Sequence, residues 1–153
     1  MKISEFLRED LVDAEMASTD KASALTELCG WVAARRGELS AARLAEVLAE
    51  REKLGSTGIG EGVAIPHGKL AGLPGLVAAF GRAPAGVEFN AIDGRPTHLF
   101  FVLFAPENSA GVHLKALARI SRLFKNAAFR KAIMDAKDAA AIYKLIAEED
   151  ARY

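Results

Sequence analysis

An α/β fold is what this chain predicts: one domain over residues 1–153, with a central sheet flanked by helices on both faces. Three observations carry that expectation. Apolar residues recur at helical spacing near the two ends of the chain, whereas the middle holds short β-branched or aromatic runs bounded by Gly and Pro. At 153 residues and 51% hydrophobic content, the chain can bury one sizeable core. Helices, then strands, then helices bury their apolar faces best as a sheet covered on both sides.

Taken in order, residues 3–15 leave two readings open: "ISEFL" suits a short helix and "LVDAEM" a short strand. In "STDKASALTELCGWVAARRG" the helical repeat is Leu25, Leu28, Cys29 and Val32, with Ser18 or Thr19 as N-cap and Gly37 as stop. A second helix starts at Ser40 and buries Leu44, Val47 and Leu48. Arg51 continues that apolar stripe into the last turn. "GVAIP", "GLVAAFG" and "THLFFVLFAP" read as buried strands, and Asp93-Gly94 as a turn between the last two. Three helices follow, in "SAGVHLKALARISRLFKN", "AAFRKAIMDAKD" and "AAAIYKLIAEED"; the last buries Ala139, Ile142, Tyr143 and Ile146.

Charge and composition exclude several function classes. Twenty basic residues balance twenty acidic ones, so nothing draws the chain to nucleic acid or an anionic membrane surface. No apolar run is long enough to span a bilayer, and "MKISEFLREDLVDAEM" lacks a signal-peptide hydrophobic region. The single cysteine, Cys29, rules out an internal disulfide. A cytoplasmic protein without membrane insertion is expected. Lys115, Arg119, Arg122, Lys125, Arg130 and Lys131 share a segment with no acidic residue. That pattern reads as a solvated helix face ahead of a docking patch.

The stretch "GSTGIGEGVAIPHGK", Gly55 to Lys69, holds five of the thirteen glycines, a density that marks a backbone fitted closely around something. It is not a nucleotide loop. The P-loop pattern would need Gly at Val63 and Ser or Thr at Leu70, and the dinucleotide pattern Gly at Val63 or Ile65. What the stretch does present is His67, between Pro66 and Gly68 at the end of an expected strand. An isolated histidine in such a turn is ordinarily a surface residue, but here two others supply context. Arg51 offers a fixed fork of donors suited to phosphate oxygens, although an arginine at that place can also simply snorkel. His113 falls in the first turn of its helix, on the face of Leu117, Ile120 and Phe124, where the helix N-terminus favours a neutral, donating ring. The histidines are too scattered, and Cys29 too deep on an apolar helix face, for a metal site. Ser56 and Ser109 lack a nucleophile-elbow setting, and His98, opening an apolar strand, reads as structural.

These residues carry a resemblance. "REKLGSTGIGEGVAIPHGKL", with "FNAIDGRP" and "HLKALARIS", resembles enzyme IIA of the fructose/mannitol class of the bacterial phosphoenolpyruvate-dependent phosphotransferase system, nearest its nitrogen-branch regulatory members. The resemblance runs almost end to end. It implies a mixed sheet flanked by helices, and a phosphoryl group accepted on His67 from an HPr-type phosphocarrier of the nitrogen branch. Arg51 and His113 are by the same match the partners of His67. The free-standing length, without IIB or IIC segments, is read as favouring that branch. Family precedent adds regulated targets such as potassium transporters or sensor kinases. A sugar-transport IIA that passes phosphate to a IIB cysteine, or a binding module never phosphorylated, are the alternatives.

Phosphoryl transfer to a histidine needs a neutral ring with one free nitrogen, the other held as donor to a backbone carbonyl. Backbone N–H groups around Gly58, Gly60 and Gly62 are expected to form an anion-binding nest, with hydroxyls from Ser56 or Thr57. Arg51 would bind oxygens from one side and His113 donate from the other. No metal or cofactor is expected. Glu61 is assigned to orienting Arg51 or His67, or to solvent, and Lys69 to the surface ahead of a contact with phosphate.

Overall fold

The longest apolar run, "THLFFVLFAP", becomes the central strand β6 (Thr97–Pro106), and the computed structural model, which describes residues 1–153, builds the sheet around it. Every residue from Leu99 to Ala105 is at most 2% exposed. A strand covered on both faces requires apolar side chains at consecutive positions, which is why the run does not alternate.

On one side of β6 lies β5 (Val77–Val87), antiparallel to it, and beyond β5 the parallel edge strand β1 (Leu7–Asp13). On the other side two short strands follow one another along β6, both parallel to it. β3 (Val63–Ala64) lies beside Leu99 and Phe100, and β4 (His67–Leu70) beside Leu103 to Pro106. A final strand, β2 (Gly58–Gly60), is antiparallel on the outside of β3. The sheet is therefore mixed.

Helices cover both faces. α1 (Lys21–Arg35) and α2 (Ala41–Glu52) lie on one, and α3 (Ala110–Phe124), α4 (Ala127–Asp135) and α5 (Ala139–Asp150) on the other. Two neighbouring residues of β5 show the division, since successive strand side chains point to opposite faces. Phe80 stacks on Phe124 of α3, with ring centroids 5.8 Å apart, while a Cβ on Gly81 would come within 2.8 Å of Leu28 Cδ2 of α1. Cys29 is buried in α1, and burial pushes its thiol up to about 12. No helix is long and apolar enough to cross a membrane.

Some element boundaries differ from those expected. Asp20, rather than Ser18 or Thr19, caps α1: its carboxylate accepts from Ser23 N at 2.9 Å, while the Ser18 hydroxyl donates to Glu27 at 2.6 Å. A short 3₁₀ turn covers Ile3–Glu5, and β1 begins at Leu7, four residues before "LVDAEM". β5 continues past Gly81 to Val87, and its register against β6 shifts between Arg82 and Val87, a break that accommodates Pro84. The basic segment spends much of its charge inside the fold. Arg119 pairs with the buried Asp150 of α5, and Arg130 donates to the Phe124 and Lys125 carbonyls at 2.7 and 3.0 Å, closing the end of α3.

The packing of α2 on β4 sets the surroundings of His67. Gly68 makes this close contact possible: an added Cβ would lie 2.3 Å from Val47 Cγ1. Valine is stiff at χ1, so it has little room to turn aside. Gly68→Ala is expected to destabilise the protein by about 1–3 kcal/mol through overpacking, read as a lowered midpoint in urea unfolding. An unchanged midpoint would show that α2 is not held this closely.

Candidate functional site

His67 opens β4. The strand expected from Gly62 to Pro66 is broken: β3 stops at Ala64, Pro66 has no N–H to give the ladder, and pairing resumes at His67 opposite Leu103. In this break the His67 side chain folds back, with Nδ1 2.7 Å from the Ile65 carbonyl oxygen. A carbonyl only accepts, so Nδ1 carries the proton and Nε2 keeps a lone pair. Burial is the main force holding the His67 pKa below the ordinary 6.5. The Ile65 hydrogen bond opposes it, the Arg51 charge assists it and the Glu52 charge opposes it.

His113 reaches the same place from the other direction. β6 ends at Pro106, and α3 starts after Ser109, whose carbonyl accepts the first helical bond from His113 N at 2.8 Å. The two imidazoles meet edge to face, centroids 5.5 Å apart at 74°. His113 is 7% exposed, and its Nε2 is buried without a hydrogen-bond partner. Burial lowers its pKa first, then the charges of His67 and Lys69. Sequence position points to the helix N-terminus as the cause of a neutral ring, whereas in the fold desolvation is the larger one.

His67, His113, Arg51 and Lys69 line one cleft of about 550 Å³, with Glu50 and Glu107 also on its wall. Arg51 lies in the last turn of α2 and donates from Nη1 to the Gly55 carbonyl at 3.0 Å. Lys69 follows His67 by two residues, so both side chains leave β4 on one face.

The structure does not bring Ser56, Thr57, Gly58, Gly60 or Gly62 to this cleft. Several N–H groups of this stretch are bonded within the protein: Thr57 N donates to Glu52, Gly58 N to Ser56 Oγ and Glu61 N to Asp93. The Ser56 hydroxyl donates to the Phe89 carbonyl and that of Thr57 to Glu52. The glycines serve the β2–β3 hairpin instead, whose turn has positive φ at Gly60, Glu61 and Gly62 (92°, 57° and 76°). Gly58 presses on Ala91, where a Cβ would approach Ala91 Cα to 2.9 Å. Glu61 points away from the histidines, its carboxylate 3.6 Å from Arg130 and mostly exposed. His98 is tied through Nδ1 to the Ala83 carbonyl at 3.0 Å, in keeping with a structural part.

Two contributors carried no side-chain signal in the sequence. One is the Ile65 carbonyl, a backbone group. The other is Glu52, which sits five residues before Thr57, a separation with no periodic meaning. Chemically, the arrangement offers a neutral ring nitrogen beside two cationic side chains and a second neutral imidazole. It suits attack on an electrophile that carries negative charge.

Comparison with known proteins gives this geometry a family. Residues 5–149 match the family model described as phosphoenolpyruvate-dependent sugar phosphotransferase system, EIIA 2, and the chain belongs to that family. It is 40% identical over 147 residues to a nitrogen regulatory protein of Bradyrhizobium diazoefficiens, covering 96% of this chain and 95% of that one. The crystal structure of nitrogen regulatory protein IIA-Ntr from Neisseria meningitidis superposes with a TM-score of 0.88 at 37% identity, over 94% of this chain and 98% of the other. A fructose-specific EIIABC component of Bacillus subtilis is 36% identical over 98% of this chain, which spans 24% of that protein. The protein is thus a IIA-type component of the phosphotransferase system, and its most similar relatives include nitrogen regulatory proteins.

The two depressed histidine pKa values make stability depend on pH. The unfolded chain binds protons at the ordinary value of 6.5, whereas the folded rings resist them. Stability is therefore complete above that value and falls as the pH drops below it, until the folded rings take up protons as well. Urea unfolding across this range should show the decline, and His67→Gln and His113→Gln should each flatten it. A slope untouched by both variants would contradict the depressed values.

Proposed function

We propose that this chain is a cytoplasmic phosphohistidine relay and regulator of the nitrogen branch, with His67 Nε2 as the phosphoryl acceptor. The observation that carries the reading is the Nδ1–H bond to Ile65, which leaves Nε2 as the only ring nitrogen with a lone pair. The donor is a phosphohistidine on an HPr-type carrier protein. As the P–N bond to the donor ring breaks, its electron pair returns to that ring, while the Nε2 lone pair forms the new P–N bond. The Nδ1 proton stays in place throughout. Positive charge develops on the His67 ring during attack, and the Ile65 carbonyl stabilises it through the Nδ1–H hydrogen bond.

A loose phosphoryl transition state spreads charge over its equatorial oxygens, so catalysis rests on positioned donors. Arg51, Lys69 and a neutral His113 are donors available in the cleft, with Arg43 also on its wall. A net cation on either imidazole would remove the lone pair or the neutral donor, and burial keeps both rings uncharged at neutral pH. The two phosphorylation states would then bind different target proteins, for which transporters of potassium or sensor kinases are family precedents. A second reading, transfer onward to a IIB cysteine in sugar uptake, is favoured by the likeness to the fructose-specific component.

The test is intact mass after incubation with phosphoenolpyruvate, enzyme I and carriers of the sugar and nitrogen branches. One phosphoryl group is expected, lost in acid, kept in base and absent from His67→Ala. Arg51→Ala, which replaces a helix-end arginine by a strong helix former, should fold and accept phosphate at least about tenfold more slowly. His113→Ala should also be slowed, with His67 still the modified residue. No mass shift with either carrier would reject the acceptor reading. Rapid passage to a IIB cysteine would favour the transport role.

A further inference from the structure

Glu52 ends α2 with a carboxylate only 6% exposed, yet it does not line the cleft. It accepts from Thr57 N at 3.2 Å, from the Thr57 hydroxyl, and from Lys21 Nζ of α1 at 2.8 Å. Thr57 is itself 4% exposed. A buried carboxylate with this many donors is held firmly, because any lost partner leaves charge uncompensated. The segment between Glu52 and Thr57 is therefore a closed loop, tied at both ends. A further tie runs from the neighbouring Ser56 hydroxyl to the Phe89 carbonyl at 3.1 Å, and Lys21 lies over the Phe89 ring at 4.8 Å.

Within the loop, Gly55 is fixed twice. Its N–H donates to the Glu52 carbonyl at 3.1 Å, and its carbonyl accepts from Arg51 Nη1 at 3.0 Å. A free arginine samples many rotamers and loses that freedom each time it engages a ligand. Here one donor of the fork is seated on an immobile carbonyl, and the guanidinium remains on the wall of the cleft that holds His67. We infer that Glu52 and Thr57 are positioning residues for phosphoryl acceptance: they clamp the Gly55 carbonyl, which in turn holds Arg51 toward His67. This inference rests on the reading of His67 as acceptor. It gives the glycine-rich segment a task other than contact with phosphate.

The experiment is a kinetic cycle on the intact protein. Thr57→Val, close to isosteric, removes the hydroxyl donor and should slow acceptance from a phosphorylated HPr-type carrier about tenfold, as expected for a misplaced catalytic group. Thr57→Ser restores the donor and should restore the rate to within about twofold. In an Arg51→Ala background, Thr57→Val should slow nothing further, because the clamp acts through Arg51. An equal further loss in that background, or full speed in Thr57→Val alone, would overturn the proposal. Should Thr57→Val not fold, Glu52→Gln takes its place in the same cycle.

A second readout needs no phosphate. Arg51 lowers the His67 pKa and Glu52 raises it; the other titratable or charged groups on the cleft are Arg43, Glu50, Lys69, Glu107 and His113. NMR titration should place the His67 midpoint higher in Thr57→Val, in the same direction as in Arg51→Ala. A midpoint moved by Arg51→Ala but not by Thr57→Val would sink the clamp. Wild-type protein that takes up no phosphate, with both midpoints raised, would reject the acceptor reading and leave the clamp standing.

Discussion

The hydrogen bond from His67 Nδ1 to the Ile65 carbonyl, 2.7 Å long, is the constraint on which the site depends. It selects one tautomer, turns the ring back over its own strand, and leaves the free lone pair on the nitrogen farther from the backbone. Three features of the chain are needed to make it. Pro66 withholds an N–H from the ladder and so breaks the strand. Leu103 N, bonded to the Pro66 carbonyl at 3.0 Å, holds the break against β6. Gly68 lets α2 close over the new strand, so the ring is half-buried rather than free in solvent.

Burial then does the electrostatic work. An imidazole left in water would be partly protonated near neutral pH. Desolvation lowers the pKa of both His67 and His113, and neighbouring positive charge lowers each further. The same positive charge, on Arg51 and Lys69, suits the oxygens of an incoming phosphoryl group. One arrangement thus keeps the His67 ring neutral and the site attractive to an anion. The cost is a fold that weakens on acidification, because protons prefer the unfolded rings.

Much of this is legible in the sequence, and the rest is hidden for physical reasons. The alternation of helical and strand periodicity places the five helices and β6, since burial of apolar faces dictates both. The side chains of Arg51, His67 and His113 stand out by type and context, and the structure sets all three on one cleft. Periodicity says little about short elements: β3 has two residues, and β4 is defined by pairing with β6 rather than by any pattern of its own. The glycine-rich loop suggests a cradle for phosphate because glycine permits one. In the fold the same freedom forms a tight hairpin, and the N–H groups of Thr57, Gly58 and Glu61 are occupied by Glu52, Ser56 and Asp93. Which partner an N–H finds is a property of tertiary structure, and composition does not record it.

The lock that the backbone places on His67, with Nε2 unprotonated, is open to direct observation. The ¹⁵N chemical shifts of the His67 ring in the unphosphorylated protein, measured above the ordinary histidine pKa of 6.5, report which nitrogen bears the proton. The expected result is a protonated Nδ1 and a Nε2 with the shift of a free lone pair. A ring protonated on Nε2, or one exchanging evenly between the two tautomers, would contradict it.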